Sequence, residues 1–249
     1  MSDYAIECEG LRKTFKLGEE LSLRRSVQML LPGVKADLEP FRALDDVTFK
    51  VPRGAYFGIV GANGSGKSTL TQIISGITVP DAGHARVWGR LLPLLEIGAG
   101  FHPDLTGREN VFLLGAIVGL PTKQIAEVMP RIEEFAGVAR HLDTPLKRYS
   151  SGMQARLSFA AAICFPADIY VFDEVLAVVD DSFRDQCLEM LKHLSSDGRT
   201  IVFMSHDLDL VTSACTTGMW LQHGRVRTIG RMQDVADAYR AELADPAAA

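Results

Sequence analysis

An α/β fold with a mostly parallel core sheet, N-terminal antiparallel strands and an inserted helical stretch is predicted by three observations. The apolar run Tyr56 to Val60 leads into Gly61-Ala62-Asn63-Gly64-Ser65-Gly66-Lys67-Ser68-Thr69 and then a helical pattern, the strand, glycine-rich loop and helix that begin a parallel sheet. A second apolar run, Ile169 to Phe172, ends in Asp173-Glu174. Between the two, from Thr106 to Cys164, the periodicity is that of helices.

The elements follow in order. Ala5 to Glu7 reads as a strand, followed by a basic turn at Arg12 and Lys13. In the segment from Leu17 to Phe41, Leu23, Val27, Leu30 and Leu31 recur with helical spacing and stop at Pro32-Gly33. That amphipathic helix either packs on its own domain or contacts a membrane partner or lipid surface. Strand signals resume at Val47 to Val51, turn at Pro52-Arg53-Gly54, and continue through Ala55 to Val60. Short strands are expected at Ala85 to Trp88 and Leu91 to Ile97, then helices at Glu109 to Val118, Thr122 to Gly137 and Met153 to Cys164. The sheet returns with Ile169 to Phe172 and Thr200 to Met204. Met219 to Gln222 and Arg225 to Ile229 form a closing hairpin, and Gln233 to Leu243 a final helix. The expected organisation is one domain over 1–249: a core of about 1–97 and 165–230, a helical subdomain of about 98–164, and a C-terminal helix and tail at 231–249, with no C-terminal carbohydrate-binding domain.

Composition fits one compact core: 249 residues, 47% hydrophobic and 23% charged. A net charge of −5 argues against a general nucleic-acid surface. Cys8, Cys164, Cys187 and Cys215 are scattered without a C-x-x-C pair and read as buried thiols. No apolar run approaches the ~20 residues that span a bilayer, so the chain is expected to be cytosolic.

The glycine-rich loop implies nucleoside triphosphate binding. Gly61, Gly64 and Gly66 let the backbone wrap a polyphosphate, with the N–H groups of Asn63 and Ser65 among those facing it, and the following helix turns its positive end to the same anion. Lys67 adds a full charge. Ser68 is placed to ligate magnesium, and Thr69 to contact phosphate or cap the helix. Asp173 would hold the magnesium through its water shell, and Glu174 can reach a water behind the γ-phosphate.

Tyr149-Ser150-Ser151-Gly152-Met153-Gln154-Ala155-Arg156-Leu157 then resembles the signature of ATP-binding-cassette (ABC) ATPases, usually Leu-Ser-Gly-Gly-Gln, upstream of the Asp-Glu strand as in that family. Tyr149, Ser151 and Met153 depart from the usual residues. The resemblance implies that Ser150, Ser151, Gly152 and Met153 close over ATP held by a second copy, in a head-to-tail homodimer. It makes Asp180, after Ala177-Val178-Val179, the candidate for communication across that dimer. It makes His206, in Met204-Ser205-His206-Asp207, the γ-phosphate contact that orients Glu174 or its water. Phe15 occupies the place of the adenine-stacking ring, with a core phenylalanine as the rival reading. Where the family carries a glutamine at the junction of sheet and helical subdomain, this chain has Leu94 to Pro103 without one, and Glu96 is the substitute magnesium ligand.

The run Leu95 to Asn110, the Tyr149-Ser150-Ser151-Gly152-Met153 turn and Asp173 to Val178 are similar to ATPase subunits that export bacterial polysaccharides, the O-antigen, capsule and teichoic-acid exporters. The N-terminal insertion looks like that group too. The resemblance implies ATP and Mg2+ as cofactors and two copies of a membrane permease as partner, which carries the lipid-linked polysaccharide. The chain would sit on the cytoplasmic face of the bacterial inner membrane, with residues 96–110 and 17–41 as the permease contacts. Another cargo, such as a lipid, drug or ion, stays open, because cargo is read by the permease. A soluble ABC protein acting on nucleic acid or ribosomes would carry coiled coils or two cassettes, and neither is present. A plain phosphate-loop kinase would not explain the signature, Asp180 and His206 together.

Overall fold

The computed structural model describes residues 2–16, 40–94, 100–173 and 180–244. Nine strands form two sheets among them. The smaller is antiparallel, with β1 (Tyr4–Lys16) central between β2 (Pro40–Pro52) and β4 (Ala82–Val87). The larger has six strands in the order β5 (Leu91–Leu94), β6 (Ile169–Asp173), β7 (Thr200–Ser205), β3 (Tyr56–Val60), β8 (Thr217–Gln222), β9 (Arg225–Arg231). The first five are parallel, and β9 closes the edge antiparallel to β8.

Alternation along the parallel strands divides the interior in two. Phe57, Ile59, Ile169, Val171, Val202, Met204, Met219 and Leu221 face the small sheet. The helix α1 (Lys67–Ile74) packs in that layer through Leu70, Ile73 and Ile74. The alternate residues Tyr56, Val60, Tyr170, Phe172, Ile201, Phe203 and Trp220 face the opposite layer. There α2 (Gly107–Ile117), α3 (Thr122–Ala136), α4 (Ser151–Cys164), α5 (Asp181–Ser196), α6 (Leu208–Ala214) and α7 (Met232–Leu243) supply the partners. All four cysteines are buried free thiols, and burial pushes the Cys8 thiol up to about 12.

Two expectations are corrected, and two helices are new. The turn at Arg12 and Lys13 is continuous strand: β1 runs on to Lys16 beside β2, and register irregularities around Leu11, Arg12 and Thr14 absorb the charged residues. The strand expected from Val47 begins at Pro40, so Phe41, the end of the insertion, belongs to β2. The helices α5 and α6 carry no expectation from the sequence reading. The amphipathic helix at Leu23 to Leu31 and the last residues of the strand expected to reach Ile97 lie outside the described residues.

Candidate nucleotide site

Parallel register brings three strand ends to one edge of the large sheet. β7 lies between β3 and β6, pairing Val60 with Ser205 and Asp173 with Met204. The glycine-rich loop after Val60, the carboxylate of Asp173 and His206 after Ser205 therefore share the carboxyl edge, where open α/β sheets place their ligands.

The loop is shaped by backbone contacts that exclude side chains. A Cβ on Gly61 would stand 2.3 Å from the Leu221 carbonyl oxygen, and one on Gly66 2.5 Å from that of Ala43. Gly66 adopts φ 107 and is the N-cap of α1, with no side chain capping the helix. Thr69 is thus inside the first turn and does not cap it, a correction to one of its two expected roles. Lys67 is only 6% exposed, and its Nζ donates to the carbonyl oxygens of Gly61 at 2.7 Å and Ala62 at 3.2 Å. The ammonium is held under the loop by the loop's own backbone.

A cavity of about 300 Å³ opens here, lined by Phe41, Ala43, Asn63, Gly64, Gly66, Lys67, Ser68, Thr69 and Asp173. An uncapped helix start, a buried ammonium and exposed loop N–H groups make it an anion site. The Ser68 hydroxyl and Asp173 carboxylate on the same wall are hard oxygen donors of the kind magnesium takes, so the residues present fit that ion. Of the expected site residues, Gly61 and Ser65 build the loop without lining this cavity, and His206 is exposed beside the same sheet edge. Glu96 and Glu174 lie outside the described residues.

Phe15 is not among the lining residues. It faces Phe41 directly across the β1–β2 ladder, and Phe41, 47% exposed, is the aromatic ring on the cavity wall. The sequence reading missed Phe41 because it treated residues 17–41 as one insertion; alternation in β2 starts only near Val47, and Ala43, Leu44 and Asp45 are buried in succession, so no period marked the earlier part of the strand.

The signature turn stands elsewhere, at the start of α4, and none of its residues lines the cavity. Ser150 is the N-cap, its Oγ accepting from the Met153 N–H at 3.2 Å. Ser151 and Gly152 are exposed. Tyr149, which replaces the usual leucine, is buried and its hydroxyl donates to the His141 carbonyl at 2.6 Å. Asn110, fully buried, accepts from the His102 N–H at 2.6 Å and donates to the carbonyls of His102, Leu105 and Thr106. The loop it fastens is hydrogen-bonded in turn to the segment before the signature, through Leu146 N–H to Leu105 O and Lys147 N–H to Pro103 O, both 2.9 Å.

Asp180 has two partners within its own chain. One carboxylate oxygen accepts from the Phe183 N–H at 3.1 Å and caps α5; the other takes both Nε and Nη2 of Arg156, at 3.1 and 2.6 Å. The hydrogen bond from Arg156 is the main cause holding the Asp180 carboxyl below its ordinary range. Arg156, on the signature helix, also stands over the Phe183 ring at 5.1 Å. This link escaped the sequence reading, since no spacing rule joins residues 156 and 180.

The sequence profile of the ABC transporter family matches residues 44–177, more than half of the chain. The protein belongs to the ABC transporter family. The chain is 40% identical to the ABC transporter protein AbcA of Aeromonas salmonicida, over 96% of this chain and 77% of that protein. It is 37% identical to the O-antigen export system ATP-binding protein RfbB of Klebsiella pneumoniae, over 82% and 83%. Against the teichoic acids export ATP-binding protein TagH of Bacillus cereus identity is 43%, over 81% of this chain, which spans 36% of TagH's length. Among solved structures, a dimeric ATP-binding cassette in a post-hydrolysis state with ADP and Pi superposes with a TM-score of 0.74 at 21% identity, covering 91% of this chain and 98% of that one. That likeness gives the ABC cassette its fold.

Proposed function

We propose that this ABC cassette is the ATP-hydrolysing subunit of an exporter that moves a lipid-linked polysaccharide out through a separate membrane permease. The observation that carries the cargo is the match to RfbB, which extends over more than four fifths of both chains. The motor half rests on the cavity that joins the glycine-rich loop, Lys67 and Asp173.

In this reading the loop N–H groups and Lys67 bind the phosphates, and Phe41, paired with Phe15 across the ladder, offers the adenine a ring. Ser68 and Asp173 would hold Mg2+, with Glu96 expected beside them; the ion supplies charge neutralisation for the β- and γ-phosphates. Glu174 would take the proton of the attacking water, oriented by His206. The signature turn cannot serve its own cavity, which supports a head-to-tail homodimer in which Ser150, Ser151, Gly152 and Met153 reach the partner's ATP and Asp180 relays closure. Among the described residues no helix is long and apolar enough to cross a membrane, so the bilayer part of the work falls to the permease, and the cassette sits on its cytoplasmic face.

An apolar groove of about 270 Å³ supports a docking place for that permease. Ile77 and Ile117, respectively 59% and 61% exposed, flank it, with Leu92, Leu94, Leu114 and Phe165 in its walls. Phe165 ends α4, so a permease segment seated there would pull on the signature helix.

The test is Glu174→Gln in the source organism, with lipid-carrier-linked glycans quantified in the membrane and polymers on the surface. Glycan accumulated inside and lost outside is the expected result. Unchanged glycans, with the variant expressed and hydrolytically dead, would overturn the polysaccharide cargo and leave the ABC motor.

A further inference from the structure

The nucleotide cavity is walled from both sheets: Phe41 and Ala43 come from β2 of the small sheet, and the phosphate loop follows β3 of the large one. A buried carboxylate joins the two sheets beside it. Asp45, 8% exposed, accepts from both Nε and Nη2 of Arg225 on one oxygen, the Nε at 2.9 Å, and from Arg42 Nη1 on the other at 3.1 Å. Asp45 lies two residues beyond Ala43 in β2, and Arg225 opens β9.

One irregular residue aims that carboxylate. Leu11 faces Val47 and Arg12 faces Asp45 across the β1–β2 ladder, so Asp46 is skipped, and it adopts φ 64 in the left-handed region. Without the skip, Asp45 would share the face of Val47, which is apolar core. With it, Leu44 joins Val47 in that core and Asp45 meets the β8–β9 turn.

Main-chain contacts carry the link on to the phosphate loop. Asp45 N–H donates to the Gly224 carbonyl at 2.8 Å, and Gly224 N–H donates to the Ser65 carbonyl at 2.9 Å. A Cβ on Gly224 would stand 2.6 Å from the Ala43 carbonyl oxygen, the same atom that Gly66 approaches. Strand β2, the β8–β9 turn and the phosphate loop thus meet with no room for a side chain between them. An apolar pair of similar volume would often hold two sheets as firmly as a buried ion pair. The ion pair adds direction: three donors on two oxygens keep the carboxylate from turning, which a lysine ammonium would not do.

We propose that Asp45 and Arg225 are positioning residues for ATP, fixing the strand that carries Phe41 at a set height over the phosphate loop so that base and triphosphate are bound together. Neither side chain lines the cavity, so both act through β2 and the loop. The proposal rests on Phe41 facing the adenine, a reading that Phe41→Ala tests separately.

The full chain and its variants are titrated with a non-hydrolysable ATP analogue, which has base and phosphates, and with inorganic tripolyphosphate, which has no base. Asp45→Asn and Arg225→Lys should each weaken the ATP analogue by about 10-fold and tripolyphosphate by less than about 2-fold. Phosphate binding persists because the bonds from Lys67 to Gly61 and Ala62 do not pass through Asp45. The two residues act as one unit, so the double variant should lose no more than either single one. Phe41→Ala should show the same selective loss. The Arg225 side chain is 65% exposed, so Arg225→Lys carries the test if Asp45→Asn fails to fold. Equal weakening of both ligands would reduce the pair to a general support and overturn its positioning role, as would additive losses in the double variant. Selective loss in Phe41→Ala with wild-type binding in both pair variants would overturn the proposal and keep the ring. A silent Phe41→Ala would strike the ring reading itself.

Discussion

Gly66 and Gly152 each stand in the opening turn of a helix, α1 and α4, and their surroundings differ. A Cβ at Gly66 would press on the Ala43 carbonyl at 2.5 Å and Leu44 Cδ2 at 2.9 Å, at a φ of 107. A Cβ at Gly152 would meet nothing nearer than Ser150 Oγ at 4.0 Å. The phosphate loop is fixed by backbone wrapped on neighbouring backbone, which leaves the α1 start uncapped for an anion. The signature turn has its cap satisfied by Ser150 and its face exposed, held in place by side chains from elsewhere. The first turn is packed from below; the second is anchored behind and bare in front, the form a half-site takes in the proposed dimer.

Substituting the two glycines gives the largest expected effect. Gly66→Ala should cost on the order of 1–3 kcal/mol in backbone strain and reduce ATP affinity by at least about 10-fold, read by nucleotide titration and thermal melting. Gly152→Ala should melt as the wild type and bind ATP as tightly, with any loss confined to hydrolysis by the dimer. Equal loss of ATP binding in both variants would remove the contrast.

Asn110 sharpens the anchoring side of the comparison. Truncation to alanine leaves the His102 N–H without a partner, while the carbonyls of His102, Leu105 and Thr106 keep their backbone donors, and should cost about 1–2 kcal/mol. If the anchor serves the signature turn, kcat should fall while ATP affinity holds; parallel loss of both would make Asn110 a general packing residue.

The smallest effect belongs to Arg156. Because Arg156 holds the Asp180 carboxyl below its ordinary value of 3.8, the pair contributes stability above that pH, which is lost as pH falls through the lowered folded value. Arg156→Gln should therefore melt slightly below the wild type at neutral pH, and the gap should close in strong acid. A gap that persists there would assign the loss to packing over Phe183 in place of charge.

Much of the fold was legible because its signals are local. The apolar run of Ile169 to Phe172 and the helical period of Thr122 to Gly137 are written in consecutive residues, and the glycine-rich loop marks both the strand before it and the helix after it. The helix α5 was legible too, since Phe183, Cys187, Leu191 and Leu194 are buried at i, i+4, i+8 and i+11 with charged residues between them, and that stripe was passed over; α6, seven residues long with only Val211 buried, is too short to show a period. The early part of β2 escaped because Pro40 to Asp45 comes after an insertion whose periodicity is helical, and its strand state is set by pairing with Tyr4 to Lys16.

By itself the sequence determined the chemistry on offer: a loop that wraps phosphate, a lysine to charge it, carboxylates at a strand end and a hydroxyl-capped second turn. These depend on residue type and near neighbours. Only the tertiary structure decided that Phe41 is the ring on the nucleotide cavity, that Arg156 binds Asp180 and that Arg225 binds Asp45. Each of those joins residues far apart in the chain, and such contacts are set by how sheets and helices pack, which no local pattern encodes.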